Sequence, residues 1–246
     1  MSALEDKVAL VTGGSRGIGA AIARRLAADG ADVAVTYLQA GDAAAKVVAD
    51  IEAAGRRGLA IPADSTDPQA VAAAVERTVA ELGGLDVLVN NAGIGTYGTV
   101  DELTLEDVDR TLAVHARSAF VAAKAAVRHL GPGGRIVNIG STLAERVPTP
   151  GWSAYAMSKS ALLGLTKGLA RDLGARQITV NLVQPGPVDT DMNPADGPAA
   201  DGERAFLALG RFGTADEVAG VVAHLASDEG RYVTGTALTV DGGWAA

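Results

Sequence analysis

Val8-Ala9-Leu10-Val11-Thr12-Gly13-Gly14-Ser15-Arg16-Gly17-Ile18-Gly19 decides the fold of this chain. Its first four residues form a continuous apolar run stopped by glycine, which suits a parallel strand buried on both faces. Ala20 to Asp29 then reads as an alanine-rich helix closed by Gly30. Strand, glycine turn and helix in that order form the context in which a dinucleotide fingerprint works. The glycines permit the tight turn and let backbone approach a pyrophosphate, which rests on the helix N-terminus. The spacing here is G-x-x-x-G-x-G rather than the commoner G-x-G-x-x-G, so taken alone it also fits an ordinary strand-to-helix turn.

The next strand, Asp32 to Tyr37, bears on which dinucleotide is meant. An NAD site carries Asp or Glu at the end of this strand to hold the ribose 2′-hydroxyl. Here the strand runs out through Thr36-Tyr37-Leu38-Gln39, and Asp42 lies further on, in the following helix. Arg16 sits inside the glycine loop, and a guanidinium pairs well with a 2′-phosphate. The expectation is NADP(H) in preference to NAD(H). The alternative is that Arg16 is a solvated loop residue.

The pattern repeats along the chain. A helix is expected over 41–54, then a strand at Leu59-Ala60-Ile61 leading to Asp64-Ser65. A helix opened by Pro68 runs to Leu82, and a strand at Val87-Leu88-Val89 runs into Asn90-Asn91-Ala92-Gly93. Leu105 to Leu130 reads as one long helix, whole or broken, whose Ala119, Ala122, Ala123 and Ala126 allow close packing. Strand Arg135 to Ile139 ends at Gly140-Ser141-Thr142. A further helix reaches Leu173, and strand Ile178 to Val183 ends at Gln184-Pro185-Gly186-Pro187-Val188. Asp189 to Gly202, rich in Pro, Gly, Asp and Asn, reads as a mobile loop with no regular element. Helix 214–226 and strand Ala237 to Val240 close the chain. Alternating short apolar strands and helices imply an α/β fold with a parallel sheet and right-handed crossovers. Ligands of such folds sit at the carboxyl ends of the strands.

Composition narrows the function classes. The chain has 246 residues, 48% of them hydrophobic and only 4% aromatic, so its core is built from Ala, Val, Leu and Ile. A formal net charge of -8, with no basic run, argues against nucleic-acid or anionic-membrane partners. There is no cysteine, which removes disulfides and thiolate zinc sites and suggests a reducing compartment. His115, His129 and His224 lack metal-ligand spacing, so no metal is expected. The N-terminus is acidic where a signal peptide is basic, and no apolar run approaches the roughly 18 residues of a membrane helix. A soluble cytoplasmic protein is the expectation.

The chemistry centres on Tyr155-Ala156-Met157-Ser158-Lys159. Residues four apart on a helix share a face, so the phenol and the ammonium point the same way. Free tyrosine titrates near pH 10. A cation about 6 Å away, at an effective dielectric near 20, favours phenolate by about 2.8 kcal/mol, or about two pKa units. Tyr155 then exchanges a proton with a carbonyl or alcohol oxygen near working pH. Ser141, at a neighbouring strand end, supplies a hydrogen bond to the same oxygen, and Lys159 can also bind the nicotinamide ribose.

With these residues in place, the chain resembles the short-chain dehydrogenase/reductases, in the subgroup typified by 3-oxoacyl-[acyl-carrier-protein] reductases. The resemblance spans essentially the whole length. It rests on Thr12-Gly13-x-x-x-Gly17-x-Gly19, Asp64, Asn90-Asn91-Ala92-Gly93, Ser141, Tyr155-x-x-x-Lys159, Pro185-Gly186 with Thr190, and Val240-Asp241-Gly242-Gly243. It implies a three-layer Rossmann-like, doubly wound parallel sheet of about seven strands with helices on both faces. That is a single domain over 1–246 with a substrate loop or lid around 189–210, assembled as a homotetramer. By the same resemblance Ser141, Tyr155 and Lys159 are catalytic. Cofactor contacts carry over to Gly13, Ser15, Arg16, Gly17, Ile18, Gly19, Tyr37, Asp64, Ser65, Asn91, Ala92, Gly93, Tyr155, Lys159, Pro185, Gly186, Val188 and Thr190.

One position departs from the family. Its members usually have asparagine in the helix before Ser141, completing a proton relay through water and the lysine. His115 stands there. Either a backbone carbonyl still holds the relay water, or His115 passes protons itself with an ordinary pKa near 6.5, or it is a tolerated helix residue. The Ser141–Tyr155 loop is also one residue longer than expected. The reading is an NADPH-dependent reductase of a ketone, a 3-oxoacyl thioester or another small carbonyl compound. Tyr97, Leu143, Glu145, Trp152, Gln184 and Met192 are its candidate pocket residues. The same chemistry reversed is an alcohol dehydrogenase, and a nucleotide-sensing protein without turnover is the reading from another class.

Overall fold

The computed structural model describes residues 3–246. In chain order the elements are β1 (Val8–Val11), α1 (Gly17–Ala28), β2 (Asp32–Tyr37), α2 (Gly41–Ala53), β3 (Gly58–Pro62), α3 (Pro68–Leu82), β4 (Val87–Asn90), α4 (Leu105–Leu112) and α5 (Ser118–Ala126). Then follow β5 (Arg135–Ile139), α6 (Ser153–Leu173), β6 (Thr179–Pro185), α7 (Ala200–Arg204), α8 (Ala215–Ala226) and β7 (Ala237–Val240). The seven strands form one parallel sheet in the order β3-β2-β1-β4-β5-β6-β7. This is the three-layer Rossmann-like arrangement, with its strand order reversing between β1 and β4. That reversal opens a crevice at the carboxyl edge of the sheet.

The strands are apolar throughout because both faces are covered. Along β1 and β2 successive side chains alternate between two cores. Ala9, Val11, Val33 and Val35 pack under α1, α2 and α8. Val8, Leu10 and Ala34 pack under α3, α5 and α6. Alanines dominate the helix faces that meet the sheet. Ala122, Ala123 and Ala126 of α5 lie in the second core, so most of the small-residue stripe is explained by packing on the sheet.

Three local differences from the sequence reading have physical causes. α1 begins at Gly17, not Ala20, because Arg16 is extended (φ -154°) and already accepts the first helical bond from Ala20. The expected helix over 105–130 is broken. α4, capped by a reciprocal Thr104–Asp107 pair, passes into a π-helical turn at Ala113–Arg117 before α5, and α5 stops at Ala126. The segment Asp189–Gly202 is not without regular structure, since α7 begins inside it at Ala200. Its polar side chains are tied down: Asp189 Oδ1 accepts from Ala195 N at 2.9 Å, and Asn193 Nδ2 donates to Glu203 Oε2 on α7 at 2.8 Å. Among the described residues no helix is long and apolar enough to cross a membrane.

Candidate active site

The crevice is one cavity of about 1820 Å³ along the carboxyl edge of the sheet. Every residue carried over above as catalytic or cofactor-contacting lines it. The glycine loop, Tyr37 and Asp64-Ser65 stand on one side of the strand reversal. Asn91-Ala92-Gly93, Ser141, Tyr155, Lys159, Pro185-Gly186, Val188 and Thr190 stand on the other.

Hydrogen bonds from three strand ends hold the glycine loop. Thr36 Oγ1 accepts from Gly13 N at 2.9 Å, and Thr12 Oγ1 accepts from Asn91 N at 2.9 Å and Ala92 N at 3.1 Å. The Asn91 side-chain amide donates to the Thr12 and Gly13 carbonyls, both at 3.0 Å, so it braces the loop from within. Gly19 is required by close approach. A Cβ there would lie 2.4 Å from both Asn91 Nδ2 and Gly13 O. Arg16 caps α1 without a side-chain bond, and the first turn carries no acid, which leaves its amides available to an anion. No carboxylate stands among Thr36, Tyr37, Leu38, Gln39 and Ala40, which also line the cavity. The Arg16 side chain is 63% exposed and lies 4.0 Å from Asp191 across the cavity mouth.

Buried polar contacts place the second group. Asn138 on β5 accepts from Asn90 Nδ2 on β4 at 2.8 Å and donates to Thr166 Oγ1 on α6 at 2.9 Å, which fixes α6 against the sheet. Ser141 follows β5 and caps a short turn by accepting from Leu143 N at 3.2 Å. On α6, Lys159 Nζ donates to the Ile139 carbonyl at 3.1 Å and lies 5.7 Å from the Tyr155 ring centre. The Ser141 side chain is close enough to the Tyr155 phenol to favour its ionised form. Phenol, hydroxyl and ammonium therefore meet at one spot, an arrangement suited to moving a proton to or from an oxygen held there.

Burial alters the electrostatics expected from spacing alone. It pushes the Tyr155 phenol above its ordinary value, although Ser141 works the other way. Burial likewise pushes Lys159 down to about 8. The expected lowering of Tyr155 is thus replaced by a rise, because burial penalises the phenolate and the ammonium alike. His115 corrects a second expectation. Burial first, then the Lys159 cation, hold it down at about 2, so it has no ordinary imidazole pKa.

The pocket residues divide. Tyr97, Leu143, Trp152 and Met192 line the cavity, whereas Glu145 and Gln184 do not. Glu145 faces solvent. Gln184 is fully buried behind Ser141 and donates to its carbonyl at 3.2 Å. Pro148, Thr149, Phe206 and Trp244 line the cavity and were missed. Phe206 and Trp244 come from the segment after α7 and from the last residues, stack edge-to-face at 5.3 Å, and carry no local motif. Tyr97 stacks on Trp152 at 5.2 Å and Trp152 on Tyr155 at 5.7 Å, giving a continuous aromatic wall. Gly151 makes room for it, since a Cβ there would lie 2.5 Å from the Tyr97 ring.

Comparison with known proteins bears on this site. A family model described as Enoyl-(Acyl carrier protein) reductase matches residues 13–245. A short chain dehydrogenase from Burkholderia cenocepacia, solved in complex with NADP, is 61% identical. It superposes with a TM-score of 0.98 over 99% of this chain and 100% of that one. A cyclic-di-GMP-binding biofilm dispersal mediator protein of Escherichia coli is 46% identical over 246 residues, covering 100% of both chains. Versicolorin reductase 1 of Aspergillus parasiticus is 42% identical over 98% of this chain and 97% of its own.

Proposed function

The chain belongs to the short-chain dehydrogenase/reductase family, and we propose that it uses NADPH to reduce a ketone to a secondary alcohol. It is an oxidoreductase of that family. The meeting of Tyr155, Ser141 and Lys159 at the inner end of a dinucleotide-sized cavity carries this reading.

The residues present fit the cofactor. The uncapped first turn of α1 and the close-packed Gly13 and Gly19 make a cradle for a pyrophosphate, with Thr190 facing Gly17 across it. Arg16, and the absence of a carboxylate past β2, suit a 2′-phosphate. Gly13, Ser15, Gly17, Ile18 and Gly19 hold the phosphates, Tyr37 flanks the adenosine end, and Asp64-Ser65 the adenine. Asn91-Ala92-Gly93, Pro185-Gly186, Val188 and Thr190 enclose the nicotinamide end. When bound, NADPH supplies a hydride. Ser141 holds the substrate carbonyl oxygen. Tyr155 gives it a proton as negative charge develops. Lys159 orients the ribose and, while protonated, favours the phenolate left behind.

The wall of the cavity points to the kind of ketone. The chain has two Trp, four Tyr and three Phe. Both Trp, three of the Tyr (Tyr37, Tyr97 and Tyr155) and Phe206 line this cavity. A flat or cyclic ketone gains ring contacts there that a flexible 3-oxoacyl thioester does not. The segment 189–210 covers this mouth as a lid. The protein is a single-domain, cytoplasmic homotetramer, a state in which exposed Val100, Leu105 and Phe120 find cover.

The test is NADPH consumption with acyl thioesters, cyclic ketones, aryl ketones and aldehydes, with cyclic di-GMP titrated in parallel. The biofilm-mediator relative keeps a second reading in view, a nucleotide-sensing protein without turnover. Tight NADPH binding with no turnover, unchanged in Tyr155→Phe, would select it.

Two binding predictions follow from the cradle. Arg16→Ala is expected to weaken NADPH binding by roughly tenfold to a hundredfold, the worth of a charged hydrogen bond, and to leave NADH binding unchanged. Fluorescence titration with both nucleotides decides it. An equal loss for both would remove the 2′-phosphate role. Gly19→Ala forces a methyl into Asn91 and Gly13 and is expected to weaken both nucleotides at least about tenfold.

A further inference from the structure

His115 occupies the position where the family's relay asparagine usually stands, and its surroundings differ from those of a proton carrier. It is 2% exposed and lies in the π-helical turn Ala113–Arg117. Such a turn inserts one residue into a helix and swings side chains off the regular stripe. Both ring nitrogens are engaged. Nε2 accepts from the backbone N–H of Ile94 at 2.9 Å, and Nδ1 lies 2.7 Å from Ser158 Oγ. A backbone amide only donates, so Nε2 is bare and Nδ1 carries the proton. Ser158 accepts that proton and donates its own to the Tyr155 backbone carbonyl at 2.6 Å. The imidazole also stands edge-to-face with the Tyr155 ring at 5.4 Å.

We propose that His115 is a positioning residue. It is a neutral brace that ties the loop Gly93-Ile94, at the nicotinamide end of the cavity, to the backbone of α6 beneath Tyr155. The proposal rests on the reductase reading and names a residue for it. The brace spans three elements: the loop after β4, the π-helical turn, and α6. It sets the height of the phenol over the place where a substrate carbonyl sits between Ser141 and the nicotinamide. Packing agrees with this. A Cβ on Gly93 would lie 3.3 Å from His115 Nε2 and 3.6 Å from Lys159 Nζ, so imidazole and ammonium both face the loop at Gly93.

The geometry also keeps the ring uncharged. Protonating Nε2 would set two N–H donors face to face at the 2.9 Å Ile94 contact. The titratable and charged groups placed against the ring are Lys159, a cation, and Tyr155, both on α6. No anion among the described residues is recorded against it. The direction of its pKa, down to about 2, agrees.

Two measurements test the brace. The first is ¹⁵N NMR of the imidazoles in the wild-type protein, which needs no turnover. His115 is expected to show the Nδ1–H tautomer and no titration between about pH 5 and 8. The second is kinetic. His115→Phe keeps a ring against Tyr155 but loses both hydrogen bonds. It is expected to lower kcat about tenfold to a hundredfold, the usual cost of a misplaced reacting group, with the KM for NADPH little changed and the pH profile of the same shape. His115→Gln, which retains a donor and an acceptor, is expected to recover part of the loss. A wild-type kcat in His115→Phe would overturn the proposal. So would titration of His115 in this range, or a pH–rate limb near the imidazole pKa that vanishes in the variant. If the wild type turns over no ketone, the reductase reading falls, and the NMR result still decides the brace.

Discussion

Tyr155→Phe is expected to lower kcat for ketone reduction by about 10²- to 10⁴-fold, the range of a positioned general acid, while NADPH still binds. The substitution removes one oxygen and keeps the ring. The edge-to-face contacts with Trp152 at 5.7 Å and His115 at 5.4 Å remain, so the wall and α6 are undisturbed. What is lost is the phenol proton and its interaction with Ser141. Steady-state kinetics with a turned-over ketone, with NADPH fluorescence and a melting curve as controls, check the result. A variant keeping more than about a tenth of wild-type turnover would remove Tyr155 from the proton-transfer step. The pH dependence has a defined sign. The phenol must carry its proton to reduce, and burial holds it above its ordinary value. Reduction is therefore flat at low pH and falls at alkaline pH, and alcohol oxidation shows the mirror image.

Lys159→Met is the second large expectation, and its two effects have opposite signs. Activity falls, by about 10²-fold or more, because the cation that favours the phenolate and orients the ribose is gone. Stability rises. Lys159 is 4% exposed, and burial pushes its pKa from 10.5 to about 8. A lowered lysine pKa means that the folded state resists the proton which the unfolded chain holds. Near neutral pH this costs about 3 kcal/mol. Methionine keeps the apolar stem and removes that cost, but leaves the Ile139 carbonyl without its donor, which costs about 1 kcal/mol. The net gain is about 2 kcal/mol, or roughly 4–8 °C in melting temperature for a chain of this size. The linkage supplies a further check. Between about pH 8 and 10.5 the unfolded chain binds more protons than the folded one at this site, so it contributes stability that increases with pH. The methionine variant lacks that increase. A variant that melts lower than wild type at neutral pH, with the same alkaline slope, would show that Lys159 is not a strained buried cation.

The order of strands and helices was legible because each element carries its own evidence. Val8–Val11 and Val87–Val89 are apolar at every position because both faces of a parallel sheet are covered. Gly13, Gly17 and Gly19 mark a turn whose geometry excludes side chains. Tyr155 and Lys159 share a face by helix arithmetic alone. Phe206 and Trp244 were not legible as a pair, since only the packing of the segment after α7 against the last residues brings them together. Gln184 read as a pocket residue because it follows a strand end. In the structure β6 continues to Pro185, which turns Gln184 inward beneath Ser141.

The sequence by itself determined the parallel α/β sheet, the glycine cradle and the identity of the groups that meet at its edge. These depend on periodicity and spacing, which act over a few residues. Only the tertiary structure decided what those groups are worth. The upward push on Tyr155, the downward push on Lys159 and the fixed neutral tautomer of His115 all arise from burial and from partners far away in the chain. Ile94 and Ser158 flank a ring held in a π-helical turn that no local pattern announced. Desolvation and hydrogen bonding sum over everything packed around a group, and that neighbourhood exists only once the chain has folded.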